Sequence, residues 1–419
     1  MGASLANGTR AIVLGAGAVG LCCARELRRA GFQVTVVDSG APGAGCSLGN
    51  AGLVTPSHVV PLAAPGLVWQ GMKWMFDSAS PFYIRPRLDF GLLAWLGRFA
   101  WASRKSNCDA ATPVLRDLLA ESRRLFDDLA TGPSALDFGF QGLGLLMLHA
   151  TKEGRDGCHH EAELAQRLGL QPRVVAGAEL EALEPGVLIK AGEAVFYPDD
   201  AHLDPARFTA ALAEEAEASG VAFIRASASG FRVEGGRVKA LRTAGGDIDG
   251  DVFVLAAGSA SPALLKPLGL KLPLQPGKGY SFDVAPSRLP RLPSILTEAR
   301  VAVTPLGSKL RLAGTMELSG MDLSIQPKRV AAIHKAPKAF LDLELPPLPD
   351  APWAGLRPCS PDGLPYIGAF GSVPNLIAAT GHAMLGIGLA PVTGKLVAEV
   401  AGGTAPALPL GPFSPDRFG

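Results

Sequence analysis

A chain of 419 residues with 39 basic and 38 acidic side chains has a formal net charge of +1, so it lacks the electrostatic pull of a nucleic-acid-binding protein. The length suits two domains or one large composite domain with ample burial. Six scattered cysteines without CxxC spacing exclude a disulfide framework and point to a reducing compartment.

The first ten residues carry no apolar run of signal-peptide length, and a cytoplasmic chain with a short disordered lead is expected. An apolar strand over 11–14 leads into Gly15-Ala16-Gly17-Ala18-Val19-Gly20, then a helix over 19–30 closing at Gly31, then a strand over 33–37 ending at Asp38. This is half of a dinucleotide-binding unit. The first glycine permits the tight turn, the second lets backbone approach a pyrophosphate, and the third allows close packing, while the helix N-terminus offers free N–H groups to the anion. Asp38 stands where a carboxylate accepts hydrogen bonds from a ribose. The fingerprint alone serves NAD and FAD alike. The second glycine-rich run, 42–52, is longer than a simple NAD domain requires and favours the larger cofactor.

Two stretches, 61–197 and 271–349, are richer in proline, aromatics and isolated strand patterns. Four of the five tryptophans, Trp69, Trp74, Trp95 and Trp101, fall in the first, with Met72, Met75, Phe76, Phe82, Phe90 and Phe99 and with Lys73, Arg85, Arg87, Arg98 and Arg104. Core packing is the ordinary reading. An apolar face meeting a quinone or the inner face of the membrane is the other. His159 and His160 beside Cys158 lack metal-site spacing and read as a solvated loop, so no metal is expected.

Asp204 caps a helix with Pro205 in its first turn, running to 218, and a strand over 221–225 follows. A hairpin turns around Glu234-Gly235-Gly236, and a buried strand over 252–255 enters Ala256-Ala257-Gly258. The run 376–394 has no Asp, Glu, Lys or Arg, but its glycines, proline and histidine suit a buried loop and helix better than a membrane span.

Together, Gly15 to Gly20, Ser47-Leu48-Gly49-Asn50-Ala51-Gly52, Gly277-Lys278-Gly279-Tyr280-Ser281, the 319–324 stretch, Gly355-Leu356-Arg357-Pro358 with Pro361-Asp362-Gly363-Leu364-Pro365, and Gly381-His382 with Leu389-Ala390-Pro391 resemble the D-amino acid oxidase superfamily. Bacterial D-amino acid dehydrogenases are the nearest likeness. The resemblance implies a mixed α/β and α+β chain of the p-hydroxybenzoate-hydroxylase-like type. A discontinuous Rossmann-type FAD domain (1–60, 198–270 and 350–419) would carry a mixed-sheet substrate domain (61–197 and 271–349).

It also implies non-covalent FAD, with Asp38 and Ser39 at the ribose, and Ser47, Asn50, Ala51, Gly52 and Leu53 along the pyrophosphate-to-flavin stretch. Ala228 would meet the adenine, and Ala257, Gly258, Gly381, Gly386 and Ile387 would complete the cofactor contacts. Asp at position 38 replaces the commoner Glu. Arg357 is the implied clamp for a substrate carboxylate, a role suited to a guanidinium fork. A helix beginning near Ile387 would aim its N-terminus at the flavin. His382 is a substrate-side or proton-transfer candidate, with backbone packing or a flavin hydrogen bond the favoured reading. His58, shortly after the 53–54 strand, is a pocket-lining candidate. The implied reaction is hydride transfer from Cα of a D-amino acid, or of a cyclic imino acid such as D-proline or hydroxy-D-proline, to FAD. Oxidation of glycine or N-methylglycine by oxygen, and a non-catalytic flavin-binding subunit, are the alternatives.

Overall fold

Strand β1 (Arg10–Leu14) is buried from Ala11 to Leu14, the mark of a parallel strand covered on both faces. In the computed structural model, which describes residues 8–66 and 80–419, β1 lies inside a six-stranded sheet. That sheet draws on three separated pieces of chain: β1, α1 (Ala18–Arg29) and β2 (Gln33–Asp38); α2 (Pro205–Ala218), β3 (Ala222–Arg225) and β4 (Val252–Leu255); and β5 (Tyr366–Phe370), β6 (Val373–Thr380) and α3 (Ala390–Ala401). The strand order is β5-β6-β4-β1-β2-β3, parallel except for the β5–β6 pair. Val13 faces Val254 on one side and Val36 on the other.

Local chemistry sets these elements. Asp204 accepts hydrogen bonds from the Ala206 and Arg207 N–H groups at the start of α2, and Pro205 needs no donor there. The expected hairpin forms between strands Ala228–Glu234 and Arg237–Thr243, with Gly235 at φ 57° and Gly236 at φ 72° as a two-residue turn of this kind demands. A third strand, Gly246–Asp249, adds to it and has no clear signal in the sequence.

A second, larger sheet receives strands from 145–197 and 275–318, and Phe82–Ile84 pairs alongside Lys309–Leu318. Trp353–Cys359, expected with the nucleotide-binding pieces, joins this sheet instead. It runs antiparallel to Gln275–Val284 with Arg357 opposite Gly277. Two further expectations are corrected. His159 and His160 sit in a helix, Lys152–Arg167, where His159 Nε2 lies 2.8 Å from Glu193. The helix expected near Ile387 begins at Ala390, because residues 383–385 form a separate 3-10 turn and Pro391 suits a first helical turn. Lys73, Trp69, Met72, Trp74, Met75 and Phe76 lie outside the described residues; Trp95 is buried and Trp101 is exposed.

The three-layer packing around β1 depends on absent side chains. A Cβ at Gly20 would stand 1.8 Å from the Gly15 carbonyl oxygen, and one at Gly394 of α3 would stand 2.5 Å from the Cys22 carbonyl oxygen of α1. Gly394→Val is therefore expected to force α1 and α3 apart at a cost of about 1–3 kcal/mol, read as a lower midpoint in thermal unfolding.

Candidate active site

Between the two sheets lies a cavity of about 1440 Å³. This is larger than the roughly 300–1,000 Å³ of an ordinary small-molecule site and has room for a dinucleotide and a small substrate. Its floor is the end of β1. Gly15, at φ 115°, turns the chain so tightly that a Cβ there would meet the Ala256 carbonyl oxygen at 2.4 Å. Gly17, Ala18 and Val19 then present the first turn of α1 to the cavity. That helix has no acidic residue in its first turn and no capping side chain at Gly17, so its end favours an anion. One N–H is already taken, since Ala18 donates to Ser47 Oγ at 2.9 Å.

Asp38 closes the far end of this cradle. Its Oδ2 accepts from the Ala16 N–H at 2.7 Å and its Oδ1 from the Gly40 N–H at 2.8 Å, which locks the carboxylate beside the glycine loop with lone pairs to spare for hydroxyl donors. Ser39, Asn50, Ala51, Leu53, Ala228, Ala257, Gly258, Gly386 and Ile387 line the same cavity. Gly20, Gly52 and Gly381 do not. Their role is clearance: a Cβ at Gly52 (φ 75°) would strike the Leu203 carbonyl oxygen at 2.2 Å, and one at Gly381 (φ 83°) the Tyr366 ring at 2.7 Å. An anion-binding helix end, a carboxylate beyond it and a long glycine-lined channel fit a flavin dinucleotide.

The opposite wall comes from the larger sheet. Arg357 lines the cavity, donates from Nη1 to the Thr315 carbonyl oxygen at 2.7 Å, and has no acidic partner among the described residues. Gly279 makes room for it, because a Cβ there would lie 2.1 Å from Nη1. Burial pulls the Arg357 pKa down from its ordinary value, yet a guanidinium stays charged in proteins. A desolvated, unpaired cation in a cavity is stabilised by an incoming carboxylate.

His382 lines the cavity, but its ring is engaged. Thr393 donates its hydroxyl to the Leu389 carbonyl, so at 2.9 Å it accepts from His382 Nε2. Burial holds the His382 pKa down to about 3, so the ring is neutral. His58 also lines the cavity. Burial and the neighbouring Arg300 guanidinium hold its pKa down to about 4.

Several lining residues escaped sequence reasoning: Arg300, Thr315 and Ala383, together with Trp353 and Met316. Among the described residues, Arg300 (φ 52°), Thr315 (φ 66°) and Ala383 (φ 47°) are the non-glycine residues with left-handed backbone, and all three line the cavity. Such strain gathers at functional sites, but a one-dimensional pattern carries no trace of it. Cys46 bonds both to and from the Leu356 backbone, at 2.9 and 3.0 Å, and so ties the second glycine run to the strand that carries Arg357. Asp38→Ala is expected to weaken nucleotide binding roughly tenfold to a hundredfold, the loss of a hydrogen bond to a charged group, measurable by fluorescence titration of the apoprotein with FAD.

Comparison with known proteins agrees with this architecture. The FAD dependent oxidoreductase family model matches residues 10–400. A D-amino acid dehydrogenase of Rhizorhabdus wittichii is 34% identical over 431 residues, covering 98% of this chain and 100% of that protein. One from Xanthobacter autotrophicus is 33% identical, covering 98% and 99%. Among solved structures, glycine oxidase from Geobacillus kaustophilus superposes with a TM-score of 0.76 at 24% identity, covering 98% of this chain and 99% of that one. L-proline dehydrogenase from P. horikoshii does so with a TM-score of 0.73 at 19% identity, covering 99% and 98%. The cradle and these matches coincide: the chain belongs to the family of FAD-dependent oxidoreductases.

Proposed function

We propose that this enzyme oxidises the Cα–N bond of a D-amino acid or of a cyclic D-imino acid such as D-proline or hydroxy-D-proline. The carrying observation is Arg357, a cation with no acidic partner among the described residues, on the cavity wall opposite the cofactor cradle. The D-amino acid dehydrogenase relatives at 34% and 33% identity support the substrate class. Arg357 binds the substrate carboxylate, which fixes Cα and leaves the amine to the remaining wall. FAD, when bound, supplies the acceptor for the hydride from Cα. The apolar lining, including Trp353, Met316 and Leu318, excludes water and strengthens the Arg357–carboxylate attraction. The imino acid formed is hydrolysed by water to a 2-oxo acid and ammonia, or, from a cyclic substrate, remains the imine.

Anaerobic addition of D-amino acids and D-proline analogues is expected to bleach the oxidised flavin band, with the L-enantiomers inert. A flavin that no amino or imino acid bleaches overturns the reading. Arg357→Ala should raise the apparent substrate dissociation constant roughly a hundredfold, the cost of truncating one side of a buried charge pair, with flavin content unchanged. Dye reduction without stoichiometric hydrogen peroxide is the expected acceptor behaviour; equimolar peroxide would instead indicate an oxidase of the glycine or N-methylglycine type.

A second reading concerns where the electrons go. In the helix Phe90–Ala102, Trp95 and Leu92 are buried, whereas Phe90, Leu93 and Trp101 are 88%, 57% and 54% exposed. Trp95 and Phe99 of the same helix line the cavity, and exposed Arg85 and Arg104 flank it. No helix among the described residues is long and apolar enough to cross a membrane. The helix instead suits shallow insertion among anionic headgroups, close to a membrane quinone. Vesicles rich in phosphatidylglycerol are expected to float the holoenzyme, and a Phe90→Glu, Leu93→Glu, Trp101→Glu variant should stay behind with its dye-linked activity intact.

A further inference from the structure

The paired strands Leu53–Val54 and Ala201–His202 set Leu53 opposite His202 and Val54 opposite Ala201. The chain leaving the first strand therefore meets the chain entering the second, and Ser57 lands on Asp200. The Ser57 N–H donates to Asp200 Oδ1 at 3.0 Å and its hydroxyl to Oδ2 at 2.5 Å, while His58 Nδ1 lies 3.1 Å from the same hydroxyl oxygen. Asp200 is fully buried; His58 lines the cavity. Building on the proposed amine oxidation, we propose that Asp200, Ser57 and His58 form a proton-accepting chain, in which His58 takes a proton from the substrate ammonium and Ser57 and Asp200 position it and receive the charge.

The hydrogen-bond count sets the direction. A serine hydroxyl has one proton, and here Asp200 holds it. Ser57 Oγ can then only accept from His58, so the imidazole proton sits on Nδ1. His58 Nε2 keeps its lone pair and has no hydrogen-bond partner among the described residues. When a substrate ammonium gives its proton to Nε2, the electron pair of that N–H bond remains on nitrogen as the neutral amine. The Nδ1 proton passes to Ser57 Oγ, and the Ser57 hydroxyl proton passes to Asp200. One proton has moved from substrate to Asp200, and His58 ends neutral with its hydrogen on Nε2. Nothing is oxidised or reduced in this step; it readies the amine for hydride loss from Cα.

The electrostatics favour this route over a lasting imidazolium. Burial and Arg300, which faces His58, hold its pKa down to about 4. Burial and Asp199 push Asp200 up to about 7, against the Ser57 hydrogen bonds and Arg123; Tyr197 also faces it, its own pKa raised by burial first and by Asp200 among the nearby charges. Both directions send a proton past His58 to Asp200. Below about pH 7 Asp200 is already protonated and the chain is loaded, whereas above it the chain is empty and can accept.

The test reads His58 directly. In the FAD-loaded enzyme with ¹⁵N-labelled histidine, and with His58→Gln to assign the signals, Nδ1 is expected to carry the proton at pH 9. Protonation should move to Nε2, with the ring neutral, as pH falls through about 7. Asp200→Asn and Ser57→Ala should abolish that exchange, and Ser57→Thr should restore it. A tautomer that is constant from high to low pH, or an exchange that persists in Asp200→Asn, overturns the chain. In anaerobic mixing, Asp200→Asn and Ser57→Ala should slow flavin reduction above neutral pH by about a hundredfold, at the low end of acid–base effects, and flatten its pH profile. Rates and profiles like the parent enzyme's would also overturn it. Failure of every amino and imino acid to reduce the parent enzyme defeats the proposed function instead, and the tautomer measurement still decides the chain.

Discussion

Everything in this molecule depends on how closely α1 can approach the end of β1. The Gly15 carbonyl occupies space that any side chain at position 20 would need, and that proximity puts the first turn of the helix under the cavity. The effect is electrostatic as well as steric. A helix end with no acidic first-turn residue and no capping side chain of its own presents partial positive charge. The cavity thus has a positive floor at one end and a guanidinium at the other, with apolar walls between them to keep both fields strong.

The two ends come from different sheets. The nucleotide cradle is built on the parallel sheet, whose strands end at the cavity as ligand-binding strands in open α/β sheets do. Arg357 belongs to the antiparallel sheet, and the Cys46–Leu356 hydrogen bonds join the two. The strand that carries Arg357 is therefore tied to the cradle through short hydrogen bonds. The long helix Lys105–Thr131 packs against the nucleotide-binding side, where Phe126 stacks with Phe140 and tilts against Phe208 of α2.

Much of the cradle was legible in the sequence because its requirements are local. Gly15, Gly17 and Asp38 are set by a strand, a turn and a helix contiguous in the chain, and Asp204 with Pro205 marks a helix start within two residues. The Arg357 wall was reachable only through resemblance, since nothing near Arg357 in sequence distinguishes it from a surface arginine; its meaning comes from Gly279, in a strand some eighty residues earlier. The Trp353–Cys359 strand was grouped with the wrong pieces for the same reason, because strand pairing at that distance leaves no periodic signal. The hydrogen bonds between Ser57 and Asp200 span 143 positions. A serine before a histidine is commonplace until the fold supplies the carboxylate.

The three left-handed, non-glycine residues around the cavity bear on how this enzyme would respond to selection for hardiness. Arg300, Thr315 and Ala383 each hold a backbone conformation that costs on the order of 1–3 kcal/mol, and glycine would remove most of that cost. They are the positions at which a search for thermal robustness would find easy gains. Thr315 supplies the carbonyl that steadies Arg357, and Arg300 supplies the positive charge beside His58. Thr315→Gly would keep the main-chain carbonyl that Arg357 uses, whereas Arg300→Gly would remove the charge beside His58, so it is at Arg300 that tolerance of heat and the electrostatics of the cavity draw on the same residue.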